Sequence, residues 1–338
     1  MASNMNTAVY SDTSAGYVQL SDVIKEVLSK EILRTALPET VFLQAATYKQ
    51  DLRTEHGLKI EFIKFGALDK GGTLTENIPI PTKNLDTSTV EISVGERGNA
   101  VAVSNLLVQA GKVDVLFEAA MALGEDAGLV LDSEVRDAFY NTTNIVYAGG
   151  NTTAASVAST DILTYQMLDS LIEKAATLKS RPFVAPNGER YFVLFIHPRH
   201  FTQLKRQIDS GMERFNRLTY VKDYPAGRPV WRGEVAQVDN IKLVQTTLVK
   251  QGIDANDDWS YDSDLDAAGA SSADLLTAIF AGYNGVGYAE RQPLSFRENG
   301  IEDFGRILKV AWYSIWGAGI VNEESVMKII TGANETAS

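Results

Sequence analysis

Val113-Asp-Val-Leu-Phe-Glu-Ala-Ala-Met-Ala-Leu-Gly-Glu-Asp-Ala-Gly-Leu-Val-Leu-Asp-Ser-Glu-Val-Arg-Asp-Ala-Phe-Tyr-Asn141 carries the strongest helical pattern in the chain. Leu116, Ala120, Leu123, Ala127, Val130, Leu131, Val135 and Phe139 recur at the i, i+3, i+4 spacing of one helix face. At ~1.5 Å per residue such a helix is roughly 40 Å long. Ala120, Gly124 and Gly128 stand four apart and make a smooth strip where another backbone can come close. Each interior glycine costs on the order of 1 kcal/mol relative to alanine, so a packing reason is expected. A core helix and a spine that carries load across a plate both fit, and the two are compatible.

N-terminal to this helix the period changes from helical to two. Leu58, Ile60 and Phe62 alternate with Lys59, Glu61 and Ile63, and Val90, Ile92 and Val94 repeat the alternation. Gly71-Gly72, Pro79 and Pro81 lie between them as turn and edge signals. Residues 58–105 therefore read as a long β-hairpin with a polar tip. Two-stranded ribbons are marginal alone in water, so its stabilisation is expected against another subunit. Residues 1–57 read as an arm: a polar stretch from Ser3 to Gly16, then a short amphipathic helix carrying Leu20, Ile24, Val27, Leu28, Ile32 and Leu33, closed by Pro38. Ser21 lies in its N-cap region.

C-terminal to the helix, a Gly/Asn/Thr/Ser-rich connection (Gly149 to Thr160) leads into α/β material over 161–289. Ile162 to Leu178 is amphipathic, with Asp161 as its expected N-cap. Tyr191 to Ile196 is a continuous apolar run suited to a buried central strand, and Pro198 opens a helix through about Ile208. Ile241 to Val244, Ala278 to Tyr288 and Ile307 to Trp316 read as further strands, the last with Leu308, Val310, Trp312 and Trp316 on one face.

Composition narrows the function. With 45% hydrophobic and 22% charged residues the 338-residue chain is a folded protein with room for two or more domains. It has no cysteine, which excludes disulfides, thiolate nucleophiles and cysteine-ligated metal sites. A net charge of -12 and the lack of any Lys/Arg-rich run argue against a direct grip on nucleic acid, although an acidic wall beside DNA gains from not adsorbing it. The first residues lack the basic and apolar regions of a secretory signal, and Ile307 to Val321 is too short to span a bilayer, so a soluble compartment and no membrane partner are expected.

Several motif readings fail on their own chemistry. The acidic cluster from Asp254 to Asp266 lacks the calcium-loop glycine and glutamate: from Asp254 those positions are Trp259 and Leu265, and from Asp262 they are Ala267 and Ala273. A solvated loop fits better. Gly317-Ala-Gly319 mimics a dinucleotide fingerprint, but the third glycine position is Asn322 and too little chain follows for a βαβ unit. These glycines are expected to let a strand bend. Gly111-Lys112 is followed by Val113 where a P-loop needs Ser or Thr. His197 and His200 sit at a strand-to-helix junction without a nucleophile motif, which favours a cap or a buried structural role. No catalytic residue, metal ligand or cofactor is assigned.

The order of arm, long hairpin, long helix, α/β region and returning C-terminal strands resembles the tailed-bacteriophage major capsid protein of the Hong Kong 97 type. Closer segments resemble the N-four-type podophage capsid family: Gly57 to Phe65, Ala67-Leu68, Leu74-Thr-Glu76, Val101 to Leu107, Gly124 to Asp132, Val146 to Gly150, Phe195 to Pro198, and Gly305 to Val321 before Asn322-Glu-Glu. The resemblance spans about residues 20 to 332. It implies an α+β fold divided into an N-terminal arm (1–57), extended hairpin (58–105), peripheral region with spine helix (106–145), axial α/β domain (146–289) and C-terminal part of the peripheral region (290–338).

By the same resemblance the chain is no enzyme but a subunit that tiles through hexameric and pentameric capsomers into an icosahedral shell around double-stranded DNA, in the virion, assembled in the host bacterial cytoplasm. Implied partners are further copies, a separately supplied scaffolding protein or none, a portal and, where one is used, a decoration protein. The acidic insertion 251–274 and the lack of a long N-terminal scaffolding extension depart from the family. Hairpin-tip residues Asp69, Lys70, Glu76 and Lys83 are candidates for inter-subunit ion pairs, about 0 to 1 kcal/mol each, setting register more than strength. Read as ordinary loop charges they fit equally well. A nanocompartment shell of the same fold and a soluble enzyme with an acidic active site are the alternatives, and particles seen by electron microscopy separate a shell from an enzyme.

Overall fold

The computed structural model describes residues 10–11, 19–20, 27–32, 34–35, 40–49, 59–65, 72–73, 79–80, 82, 84, 87–104, 106–107, 114–186, 188–209, 218–224, 229, 231–250, 275–302 and 306–333. In the N-terminal part lie β1 (Tyr10–Ser11), β2 (Gln19–Leu20), β3 (Thr47–Lys49), β4 (Lys59–Phe65), β5 (Thr87–Ser93) and β6 (Gly95–Ser104). The long helix α1 (Val115–Tyr140) follows, then β7 (Ile145–Tyr147), α2 (Tyr165–Thr177), β8 (Phe183–Val184), β9 (Arg190–Ile196) and α3 (Pro198–Asp209). The remainder comprises β10 (Leu218–Tyr220), β11 (Glu234–Val238), β12 (Ile241–Gln245), β13 (Leu275–Ala281), β14 (Val286–Glu302), β15 (Ile307–Ile320) and β16 (Val326–Gly332).

A central sheet runs β10-β11-β12-β9-β13-β16-β7, with β8 pairing on β9. The apolar run predicted as a central strand is β9, parallel to β12 and antiparallel to β13. Its residues are buried on both faces, which is why they need no polar alternation. Val193 and Phe195 face a cluster with Phe42, Phe139 and Trp231, whereas Leu194 and Ile196 face Leu168, Leu171 and Leu204 from α2 and α3. The end of α1 and the pair α2–α3 thus cover opposite faces.

A second sheet, β3-β14-β15-β6, lies against α1. The predicted stripe of β15 is observed: Leu308, Val310, Trp312 and Trp316 are buried. The α1 stripe is also inward, with Leu116, Ala120, Leu123, Ala127, Val135 and Phe139 buried. Asp114 caps the helix by accepting the Leu116 and Phe117 amides at 3.2 and 3.3 Å. The close approach expected along its glycine strip occurs at Gly124, where an added Cβ would stand 2.9 Å from the Ile32 carbonyl oxygen. The helical residues 27–32 supply that backbone, with Leu28 and Ile32 buried.

The structure departs from the sequence reading at five places. The strand expected over Ala278 to Tyr288 is two, β13 and β14, in different sheets. The chain turns at Gly282–Gly285, where the Gly282 and Tyr283 amides bond Ser325 O and Arg181 O and Asn284 adopts a φ of 58°. β14 then continues for 17 residues, because Pro293 falls within an irregular register between Gln292 and Ser295 and so does not stop the pairing. The β16 segment, expected with the C-terminal peripheral part, enters the central sheet between β13 and β7, where all seven of its residues are buried. Asp161 does not cap α2. Thr164 does, accepting the Met167 amide at 3.2 Å, while Asp161 accepts the Ala158 amide and the Asn151 side chain. The fifth departure is the hairpin. Its ribbon is β4–β5, and from Gly95 the chain turns into β6, which pairs along β15 from Trp316↔Gly95 to Ile307↔Ser104.

Candidate assembly interface

The β4–β5 ribbon is rooted in its own chain. Ile60 opposes Ile92 and Phe62 opposes Val90. Ile60, Phe62, Ile92 and the adjoining Val94 form a buried cluster with Ala289 and Val321. They settle on a window of small residues, since Gly287 pairs with Gly319 and Ala289 with Gly317 across β14 and β15. A Cβ at Gly317 would stand 2.1 Å from Ser93 O, one at Gly287 2.7 Å from Phe62 Cζ, and one at Gly319 3.1 Å from Ile92 Cγ1. Gly317 and Gly319 therefore act by admitting the ribbon, which explains them better than the strand bend expected from sequence. Polar contacts fix the root further: Lys64 Nζ donates to Asn322 Oδ1 at 2.8 Å, and Lys49 Nζ to Glu61 O at 2.8 Å.

This corrects the expectation that the hairpin of residues 58–105 is stabilised only against another subunit. The apolar face of the root is covered intramolecularly, and what stays open is its other face. Ile63 is 59% exposed and Ile80 66% exposed. The tip residues Asp69, Lys70, Glu76 and Lys83 lie outside the described residues, as does the acidic cluster Asp254 to Asp266.

The C-terminal part of the expected arm is likewise core. Phe42 is completely buried, its ring 4.5 Å from Phe195 and 6.3 Å from Phe139. β3 adds to the second sheet parallel to β14. Asp132 on α1, fully buried, holds the turn around Phe42 by accepting the Leu43 amide on Oδ1 at 3.0 Å. The Val41 and Phe42 amides also face this carboxylate, yet Oδ2 makes no hydrogen bond. Burial pushes the carboxyl up to about 6, against the opposing pull of these amides and of Arg136.

Two acidic residues of α1 clamp the seam between β6 and β15. Trp312 and Asn99 are cross-strand partners, and both donate to Asp126 Oδ2, at 2.8 and 3.0 Å. Eight residues along the helix, Glu134 accepts from Trp316 Nε1 and Arg97 Nε. Eight helical residues rise ~12 Å and four strand residues ~13 Å, so the two attachments stay in step. Trp312 and Trp316 stack at 5.8 Å, which stiffens the seam. Sequence reading placed the tryptophans on one face but had no signal for their acceptors, because Asp126 and Glu134 look like ordinary solvated helix charges.

The central sheet holds two polar clusters, both internally matched. The His197 amide donates to His200 Nδ1 at 3.3 Å, so the proton sits on Nε2, 2.7 Å from Thr331 Oγ1. Burial is the main cause that depresses His200 to about 3 and His197 to about 4, with the neighbouring His197 adding to it at His200 and the Arg199 cation at His197. These are the cap and buried roles anticipated for the pair: His200 is buried, and the half-buried His197 accepts the Arg199 amide at the start of α3 at 3.2 Å. Lys242 Nζ meets Glu234 Oε1 at 3.0 Å with both side chains buried, and Tyr224 and the Trp231 amide also donate to the glutamate, at 2.8 and 3.0 Å. Among the described residues no group of three or more His, Cys, Asp or Glu is placed to hold a metal ion, and no helix is long and apolar enough to cross a membrane.

One family profile, described as phage capsid protein, matches residues 133–320, more than half of the chain. The chain belongs to the phage capsid protein family. Solved structures share its fold. The capsid of Ralstonia phage GP4 is 16% identical, with a TM-score of 0.69 over 89% of this chain and 93% of that one. The cyanophage Pam1 capsid is 19% identical, with a TM-score of 0.64 over 88% and 90%. The head of Helicobacter pylori bacteriophage KHP40 is 10% identical, with a TM-score of 0.64 over 88% and 91%. No curated protein matches. The fold is the Hong Kong 97 type that the resemblance implied, and this capsid protein is a structural subunit of a virion shell.

Proposed function

We propose that this capsid protein is the major subunit of an icosahedral phage head, tiling through hexameric and pentameric rings around double-stranded DNA. One observation supports the reading: a stiff plate, clamped by α1 along the β6–β15 seam, bears a ribbon whose root is fixed and whose outer face is left uncovered. A rigid root passes load into the plate, and the hairpin that extends from it can reach a neighbour. Contacts of this kind join different surfaces of successive copies, so they are heterologous, and a rotation that divides the circle closes them into rings. The net charge of -12 suits a wall that encloses DNA without binding its sequence.

Residues 1–57 and 58–105 act in this scheme as arm and extended hairpin, 106–145 with 290–338 as the peripheral plate, and 146–289 as the axial domain, with β3, β6 and β16 crossing these bounds to complete the sheets. The ordered segments quoted above support a place on the N-four-type podophage branch. Assembly in the host cytoplasm draws on a portal, a separate scaffolding protein and, where used, a decoration protein. Tip charges Asp69, Lys70, Glu76 and Lys83 set register between copies. Electron microscopy of the protein expressed with and without its scaffolding partner tests the proposal. Hollow particles of uniform size are expected, and a monomer under all assembly conditions refutes it.

A further inference from the structure

A chain with 43 acidic and 31 basic residues repels its own copies, so contacts between copies need places where cations face carboxylates. One exposed cationic surface lies at the start of β9. Lys179 and Arg181 follow α2, Arg190 opens β9, and all three are exposed. The surface among them is apolar: Val184, the cross-strand partner of Arg190, is 65% exposed and Tyr283 is 50% exposed. It is also held firmly. The Tyr283 amide donates to Arg181 O at 2.7 Å, and its ring meets Phe183 edge-on at 6.0 Å, which in turn packs on Trp231 at 5.2 Å.

A surface of the opposite sign runs along α1. Glu118, Ala122 and Glu125 are exposed at i, i+4, i+7 spacing, beside the half-buried Phe117 and Met121. Among the described residues, the side chains of Lys179, Arg181, Arg190, Glu118 and Glu125 enter no ion pair or hydrogen bond. We propose that the cationic patch of one copy receives this acidic flank of α1 from an adjacent copy. The inference rests on the shell reading above and names one contact within it.

Local roles account for only part of this charge. Lys179, with a φ of 56° just past α2, and Glu118, in the first turn of α1, each complement the dipole of their own helix. Arg181, Arg190 and Glu125 have no such role. An aromatic and aliphatic centre edged by arginines is the composition of a protein contact, whose rim charges set partner and register. Duplex DNA offers phosphates but no apolar surface against which Val184 and Tyr283 can be buried, so it fits this patch less well. The α1 flank offers both. Its two carboxylates are separated by ~10 Å of helix, with the Ala122 methyl between them and Phe117 and Met121 alongside. Patch and flank are different surfaces, so the contact is heterologous and repeats head to tail around a ring.

Charge reversal tests the contact. Arg181→Glu with Arg190→Glu reverses the patch, and Glu118→Lys with Glu125→Lys reverses the flank. Each pair alone should raise the subunit concentration needed for particle formation at least about tenfold, because attraction becomes repulsion at every contact of the ring. All four substitutions in one chain should return it to within about threefold of the unmodified protein. Circular dichroism and denaturation of the unassembled subunits check that each variant folds. A second measurement needs no charge reversal: particles mixed from isotopically light and heavy subunits are treated with a zero-length carbodiimide, which couples amines to carboxylates. Adducts joining position 179 of a light chain, or position 190 in Arg190→Lys, to Glu118 or Glu125 of a heavy chain support the proposal. Reversed pairs that assemble like the unmodified protein, a fourfold variant no better than either pair, or the absence of light–heavy adducts at these positions overturns it and leaves the shell reading intact. So does a reversed patch that forms particles normally but takes up less DNA, since the patch would then face the nucleic acid. Failure of the unmodified protein to form particles overturns both.

Discussion

Replacing Asp132 with asparagine keeps an acceptor for the Leu43 amide and removes a charge that burial opposes. The carboxyl rises from 3.8 to about 6 on folding, which corresponds to ~3 kcal/mol at most. The sign follows from which state holds the proton. Between about 4 and 6 the folded chain is protonated at Asp132 and the unfolded chain is not, so this contribution is fully favourable below about 4 and is lost as pH rises through 6. Between pH 5 and pH 7.5 the docking of residues 40–49 onto α1 should weaken about tenfold, or ~1.4 kcal/mol.

Global unfolding is a poor readout for this effect. His197 and His200 are depressed to about 4 and 3, so their contribution is present above the unfolded value of 6.5 and is lost as pH falls, opposing Asp132. Amide hydrogen exchange of peptides within 40–49, corrected for intrinsic rates, isolates the local equilibrium. In the unassembled subunit, protection should be about ten times greater at pH 5 than at pH 7.5. In Asp132→Asn it should be high at both, while Asp132→Ala, with no acceptor for the Leu43 amide, should lose ~1–3 kcal/mol throughout. An unchanged pH dependence in Asp132→Asn would refute the reasoning.

Gly317→Ala places a methyl 2.1 Å from the Ser93 carbonyl, lifting the ribbon root; a loss on the order of 3 kcal/mol and new proteolysis within residues 59–65 are expected. Trp316→Phe keeps an aromatic ring beside Trp312 but leaves Glu134 without its indole donor, and chemical denaturation of unassembled subunits should report ~1–2 kcal/mol lost. Lys242→Met strands the buried Glu234 charge at a cost of ~3–5 kcal/mol, and adding Glu234→Gln should recover part of it, which the same denaturation series measures. The His200 imidazole should show no titration by NMR between pH 5 and pH 8, because its folded value lies near 3.

The long helix, the central strand β9 and the inward face of β15 were legible because each depends on a local period. A helix stripe at α1, an apolar run at Tyr191–Ile196 and an alternation through Trp312 are visible without knowing what they touch. The split between β13 and β14 went unread although Asn284-Gly285 is a turn pair, because apolar residues continue on both sides of it; the Arg181 and Ser325 carbonyls fix the turn from a distance. Nor was the partner of the hairpin root. The sequence showed that Ile60, Phe62 and Ile92 need cover, but the cover is a patch of glycines and an alanine some 200 residues away, and small residues give no pattern of their own.

By itself, then, the sequence determined which segments are helix, ribbon and buried strand, that no thiol chemistry operates, and that the chain resembles a shell subunit. Periodicity, composition and the absence of a residue type are all properties of neighbouring positions or of counts. Only the tertiary structure decided that Asp126 and Glu134 clamp two strands, that Asp132 fastens the turn at Phe42, and that the ribbon root settles on Gly317 and Gly319. Those are facts of proximity between distant residues. A carboxylate that becomes a buried acceptor and one that stays in water are the same letter until the fold places a donor beside one of them.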